Sequence, residues 1–313
     1  MALTMSNREA FGRALVKLGG VDPRVVVLDA DVCTSTRTAL FREAFPERFI
    51  QIGVAEQHLM SAAAGMSTVG GLVPWVSTFG VFAAGRALEQ VSISIAYPRL
   101  NVKINGSYAG VPTGSAGATH QAMTDIAAMR ALPGMTVIDP LDAVEVEAAV
   151  FAATALEGPV YLRTTRHETR VLLDAASCRF ELGKAVKLLD GDALTIVGTG
   201  PMSVLAWDAA RLLADEGIRA RVLHIHTIKP IDEEAIVAAA RQTAGFVTVE
   251  NHSVIGGLGS AVCEVVARHW PARVLRIGFP DVYGESGEDG AVFRKLGISV
   301  EHVAAAARAL LAG

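Results

Sequence analysis

Cysteine is scarce in this sequence. Cys33, Cys178 and Cys263 are far apart and match no metal-binding or redox spacing, so they are expected to be core or surface thiols in a reducing cytoplasm. Aromatic residues make up only 6% of the chain. No basic run interleaved with aromatics occurs, which argues against a nucleic-acid partner. The start "MALTMSNREA" has no basic segment followed by an apolar one, and no run is long and apolar enough to cross a bilayer. A cytoplasmic protein with no membrane role is expected.

What the chain does have is Ala, Val and Leu, 30 glycines, 51% hydrophobic residues and a formal net charge of -4 over 313 residues. That composition excludes disorder and leaves room for two domains. It also fits parallel sheets wrapped in tightly packed helices.

The stretch "SNREAFGRALVKLGG" reads as a first helix, opened by a Ser6–Glu9 capping box and closed by Gly-Gly. Strand-like runs then alternate with helical segments: "RVVVLDA", "FIQIG", "WVSTF", "NVKING", "TVIDP" and "VYLRTT". This order predicts a doubly wound, mostly parallel sheet over residues 1–170. Periodicity weakens over 171–191, read as a linker with a small strand. A second series, "ALTIVGT", "ARVLHI", "FVTVEN" and "RVLRIGF", predicts a smaller α/β domain over 192–313. The expected fold class is therefore α/β, with two doubly wound domains.

Several stretches invite a chemical reading. In "IGVAEQHLMSAAAGM" a single carboxylate, Glu56, stands where a strand gives way to a helix made of small and apolar residues. It either complements the helix dipole or serves a ligand at a strand carboxyl end. A carboxyl in apolar surroundings tends to keep its proton, which suits a donor. Phe79 and Phe82 in "STFGVF" are either core or a flat wall for a planar ring. The Gly-rich loop "TGSAGATHQ" ends in His120 and Gln121 at what reads as a helix start. "LRTTRHETR" gathers Arg163, Arg166, His167 and Arg170 after a strand, either for an anion or as a solvated edge. "VGTGPM" lacks a full phosphate-loop pattern and favours a tight turn. "ENHSVIGGLGSAV" serves close packing as well as it serves a ligand.

Taken in order, "DADVCTST", "IGVAEQH", "STFGVF", "GATHQ", "GPVYLRTTR", "IKPID", "VENHSVIGGLGSAV" and "RIGFPDVYGESG" resemble the carboxyl-terminal half of transketolases over nearly the whole chain. The likeness is to small subunits of split transketolases, in which the pyrimidine-binding and carboxyl-terminal domains form a separate polypeptide. The resemblance implies thiamine diphosphate as cofactor. It makes Glu56 the group that hydrogen-bonds N1' of the aminopyrimidine and activates it, Phe79 and Phe82 the aromatic wall, and Asp31 and Val32 part of the lining. Arg8, Ser35 and Arg166 match positions that hold a sugar phosphate, and His120 matches a histidine near the reacting carbonyl. The "GDG" motif and Asn ligands that hold the diphosphate and Mg²⁺ are missing, so no metal ligand is assigned here. The resemblance implies a large subunit that carries them, in an α2β2 assembly acting on phosphorylated sugars.

One departure bears on substrate. Transketolases for ordinary aldose phosphates carry "THxxxxVGEDGxTHQ", whereas this loop is "SYAGVPTGSAGATHQ". Tyr108 replaces a His, and Ser115 and Ala116 replace the acidic pair that reads the hydroxyl beside the acceptor carbonyl. A phosphorylated sugar of unusual skeleton is expected, and a branched ketose phosphate such as apulose 4-phosphate fits. The alternatives are a 2-oxo acid dehydrogenase β subunit, a deoxyxylulose-phosphate-synthase-like subunit and a noncatalytic regulatory subunit.

Overall fold

The computed structural model describes residues 3–313. Its strands in the first half are β1 (Thr4–Ser6), β2 (Val25–Asp29), β3 (Phe49–Gln51), β4 (Val73–Phe79), β5 (Lys103–Ser107), β6 (Thr136–Ile138), β7 (Val160–Thr164) and β8 (Glu168–Arg170). The second half adds β9 (Val186–Leu189), β10 (Leu194–Gly198), β11 (Ala220–His224), β12 (Thr227–Lys229), β13 (Phe246–Ser253) and β14 (Val274–Phe279). A seven-stranded sheet runs β12-β6-β7-β5-β4-β2-β3, a five-stranded sheet runs β14-β13-β10-β11-β9, and β1 pairs with β8 in a ribbon. Apart from β12 and β9, the strands of both large sheets are parallel. The two doubly wound α/β units read from the sequence are present.

Side chains on a strand alternate between faces, and a parallel sheet must bury both. On β2, Val26 and Leu28 join one core with Leu59, Met60 and Ala63 of the helix Glu56–Ser67. Val25 and Val27 join the other, with Phe11 and Leu15 of the helix Asn7–Val21 and Val146 and Val150 of the helix Ala143–Ala155. Each such buried side chain contributes about 1.5–3 kcal/mol relative to exposure. The second sheet is covered likewise. Val222 packs with the helices Met202–Ala214 and Val300–Ala312, and its neighbour Leu223 with Glu233–Gln242 and Leu258–His269.

At the level of the fold, the structure departs from the sequence reading at the first helix and at the domain boundary. The capping box is not formed: Ser6 makes no side-chain cap, because it is held opposite Glu168 in the β1–β8 ribbon. Glu9 instead pairs with Arg13 and Arg37. Nor does Gly-Gly end this helix, which continues to Val21. Gly19 is needed for closeness, since a Cβ there would lie 2.6 Å from the Phe41 ring and 2.7 Å from that of Phe45. Secondly, the carboxyl-terminal half is not self-contained. Its strand β12 crosses to the amino-terminal sheet and pairs antiparallel with β6.

Candidate active site

Parallel α/β sheets present their loops at the strand carboxyl ends, and ligands collect there. Five adjacent strands, β7, β5, β4, β2 and β3, supply the candidate residues in this chain. Asp31, Val32 and Ser35 follow β2, Glu56 follows β3, Phe79 ends β4 with Phe82 just after it, the loop to His120 follows β5, and Arg166 follows β7. Arg8 comes from the first helix and is brought beside β7 by its backbone N–H, which donates to the Thr165 carbonyl at 3.3 Å.

Glu56 is the first residue of its helix and is 2% exposed. Its surroundings are not uniformly apolar, as the sequence led us to expect. Arg86 Nη1 donates to Glu56 Oε2 at 2.9 Å, with the arginine side chain 50% exposed. Arg86 ends a π-helical turn, Phe82–Arg86, and its guanidinium lies 4.5 Å from the centroid of the Phe82 ring. One cation therefore ties the carboxylate to the aromatic wall. The spacing of Phe82 and Arg86 was a signal for this contact. Glu56 Oε1 makes no hydrogen bond among the described residues and remains free to accept one.

The Phe79 and Phe82 rings lie 5.9 Å apart, and the His120 ring meets both edge-on at 5.8 and 5.4 Å. These are favourable aromatic separations, and they leave a largely apolar surface. His120 does not begin a helix. It closes a tight 3-10 stretch, Gly114–His120, and the next helix starts at Asp125. Thr119 Oγ1 lies 2.9 Å from His120 Nδ1 and fixes the ring. Asp31 is exposed with φ 63°, and the Gln51 side chain accepts its backbone N–H at 2.8 Å. Val32 donates its N–H to the buried Asp29 at 2.7 Å. Burial raises the Asp29 carboxyl above its ordinary range, against the pull of its Thr38, Val32 and Thr36 donors.

The phosphate candidates converge on Tyr108. Arg8 Nη1 donates to its hydroxyl at 3.0 Å and to the Ser35 carbonyl at 2.9 Å, so Ser35 takes part here through its main chain. Arg166 lies 6.0 Å from the Tyr108 centroid, and the Phe79 ring packs against the same ring at 4.4 Å, tilted by 37°. Burial pushes the Arg8 guanidinium below its usual value; Arg37 and Arg166 add to this and Tyr108 opposes it. Tyr108 thus bridges the aromatic wall and the cationic end.

The other members of "LRTTRHETR" do not join this cluster. Arg163 is fully buried and bonds Asp125 and Asp139, His167 packs against Phe293, and Arg170 pairs with Asp208. The glycine motifs hold structural turns. Gly200 in "VGTGPM" has φ 52°, and a Cβ there would lie 2.5 Å from an Asp139 oxygen. In "ENHSVIGGLGSAV" the helix amino terminus is already filled from within, since Glu250 accepts the N–H groups of Leu258 and Gly259 at 2.6 and 2.9 Å.

Fold and strand ends together define a two-domain α/β chain in which a buried carboxylate and an aromatic cluster lie beside a group of arginines. Residues 4–171 match the pyrimidine binding domain of transketolase, and 183–303 match its C-terminal domain. The chain is 40% identical over 300 residues to 6-deoxy-6-sulfo-D-fructose transketolase subunit SqwH of Clostridium sp. (strain MSTE9), covering 96% of this chain and 92% of that protein. It is 37% identical over 296 residues to one of the subunits of the apulose-4-phosphate transketolase of Phocaeicola vulgatus, covering 95% and 94%. A solved split-gene transketolase, an inactive β4 tetramer, superposes with a TM-score of 0.92 at 48% identity, covering 98% of this chain and 99% of that one. The chain belongs to the transketolase family, a family of transferases that uses thiamine diphosphate.

Proposed function

We propose that this chain is the small subunit of a split transketolase and that it supplies the pyrimidine and substrate half of each active site. A separate large subunit supplies the diphosphate and Mg²⁺ ligands, in a cytoplasmic α2β2 assembly. The observation that carries this reading is the convergence of Glu56, Phe79, Phe82, His120, Arg8 and Arg166 at the carboxyl ends of adjacent strands of one sheet. The residues fit the pyrimidine half of the cofactor, with a free carboxylate oxygen beside an apolar wall. Thiamine diphosphate, when bound, supplies the carbon nucleophile of ketol transfer. Glu56 would hold the proton at N1' of the aminopyrimidine, while Phe79 and Phe82 would hold that ring and exclude water. His120 donates or accepts at the substrate carbonyl end, and the forked guanidinium groups of Arg8 and Arg166 grip the phosphate.

For substrate, we propose a branched ketose phosphate, apulose 4-phosphate, as donor and glyceraldehyde 3-phosphate as acceptor, giving dihydroxyacetone phosphate and xylulose 5-phosphate. Ala116, exposed on the loop, cannot read a hydroxyl beside an aldose carbonyl. A donor whose remnant is a ketone needs no such reader, and a site without the acid leaves no carboxylate unpaired. The test mixes the purified chain with its large subunit. Neither alone should transfer ketol units, the mixture should, and it should prefer the branched donor. Ala116→Asp should shift preference toward linear aldose phosphates. Turnover by this chain alone at the mixture's rate would refute the half-site; preference of the native complex for ribose 5-phosphate would refute the substrate.

A further inference from the structure

The loop that carries Ala116 and His120 is held from outside its own domain. Gly114 donates its N–H to Asp289 Oδ1 at 3.1 Å, and Asp289 Oδ2 lies 4.0 Å from Arg166 Nη1. Ser286 Oγ donates to the Ser115 carbonyl at 3.1 Å, and Gln121 Nε2 donates to the Glu285 carbonyl at 3.0 Å. The segment 285–289 of the C-terminal domain therefore fastens the loop at both ends. The fit leaves no slack. Gly114 has φ 61°, a Cβ on it would lie 3.0 Å from Arg166 Nη1, and a Cβ on Gly117 would collide with the Ser286 hydroxyl.

We propose that Asp289 is a positioning residue of the substrate site. It rests on the reading of Arg166 as a phosphate contact. One carboxylate oxygen fixes the loop that faces the reacting carbonyl, and the other holds Arg166 in register with it. The spacing between the carbonyl end and the phosphate end is thereby set by the C-terminal domain, and with it the length of sugar phosphate the site accepts. The ion pair itself is long, with Arg166 40% and Asp289 23% exposed. An exposed pair of that kind is weak. At 4.0 Å the pair orients Arg166 without using up its donors, which stay available to a phosphate while the loop bond to Gly114 stays in place.

The test compares Asp289→Asn, which keeps an acceptor for Gly114 but loses the charge, with Asp289→Ala, which loses both. In the complex with the large subunit, Asp289→Ala should raise KM for phosphorylated sugars about tenfold relative to unphosphorylated analogues. Asp289→Asn should produce a smaller rise of the same kind, and Asp289→Glu should restore part of the discrimination. In an Arg166→Ala background the Asp289→Ala effect should shrink by about twofold or more. An unchanged KM ratio in Asp289→Ala, or full additivity with Arg166→Ala, overturns the proposal. Hydrogen exchange on the full chain reads the loop without turnover: amides 114–121 should exchange faster in Asp289→Ala and stay protected in Asp289→Asn. Absence of ketol transfer by the native complex defeats the functional reading, whereas unaltered exchange in Asp289→Ala defeats the role of Asp289.

Discussion

Arg163 and Arg166 stand three residues apart, yet they sit in opposite electrostatic settings. Arg163 lies on the fully buried strand β7 and makes four hydrogen bonds: Nε and Nη2 donate to Asp125 at 2.8 and 3.2 Å, Nη1 to Asp139 at 2.9 Å, and Nη2 also to the Asn251 carbonyl at 3.0 Å. Burial works against its charge, but Asp125 and Asp139 outweigh it and hold the guanidinium above its ordinary value. Arg166, on the loop beyond, is 40% exposed, and its carboxylate partner among the described residues is 4.0 Å away. One network joins the two domains through the Asn251 carbonyl; the other leaves its arginine half-exposed beside a distant carboxylate. The difference teaches that charge alone does not separate an arginine spent inside the fold from one left with donors to spare.

The contrast can be broken most strongly at the buried network. Arg163→Ala leaves Asp125 and Asp139 buried without a counter-charge and should cost about 3–5 kcal/mol of stability, read by denaturant unfolding. The histidines packed into the same join come next. Burial holds His226 and His252 down to about 4, so both are neutral in the folded chain at neutral pH. Each contributes stability that is fully present above about 6.5 and lost as the pH falls toward about 4, on the order of 3 kcal/mol apiece. Glu250, raised by burial to about 7, acts with the opposite sign: its contribution is lost as pH rises from its ordinary range through about 7. Unfolding curves from pH 7 to 4 should therefore show a falling midpoint, with a shallower fall in His226→Gln.

Around Glu56 and Arg166 the expected effects belong to turnover rather than stability. Glu56→Gln should slow turnover of the assembled enzyme by about 10²-fold or more, as expected for lost acid–base work. Unchanged hydrogen–deuterium exchange at the thiazolium C2 would remove Glu56 from that role. The smallest of these effects sharpens the comparison directly. Arg166→Ala should leave the unfolding midpoint nearly unmoved but weaken phosphorylated substrates by about 1.5–3 kcal/mol, seen as a rise in KM that unphosphorylated analogues do not share.

Much of this organisation was legible in the sequence because it is local. Apolar runs between helical segments identify buried parallel strands, and Glu56, Phe79 and Phe82 stand out against small or apolar neighbours. What was not legible is set by contacts between distant segments. No local pattern announces that Asp289 reaches Gly114 across a separation of 175 residues. The basic cluster after β7 was visible, but which arginine turns inward depends on Asp125, at the start of its helix, and Asp139, just after β6. Ser6 and Glu9 have the right capping pattern, and tertiary partners claimed both.

The crossing of β12 has a consequence for how the chain is made. As the polypeptide leaves the ribosome, β6 at Thr136–Ile138 emerges well before its partner Thr227–Lys229. Until then the amino-terminal sheet presents an open edge of unpaired N–H and C=O groups, the kind of surface that recruits stray strands. Closure of that edge waits for translation to reach the C-terminal domain, so the first sheet is completed only after synthesis of the second has begun.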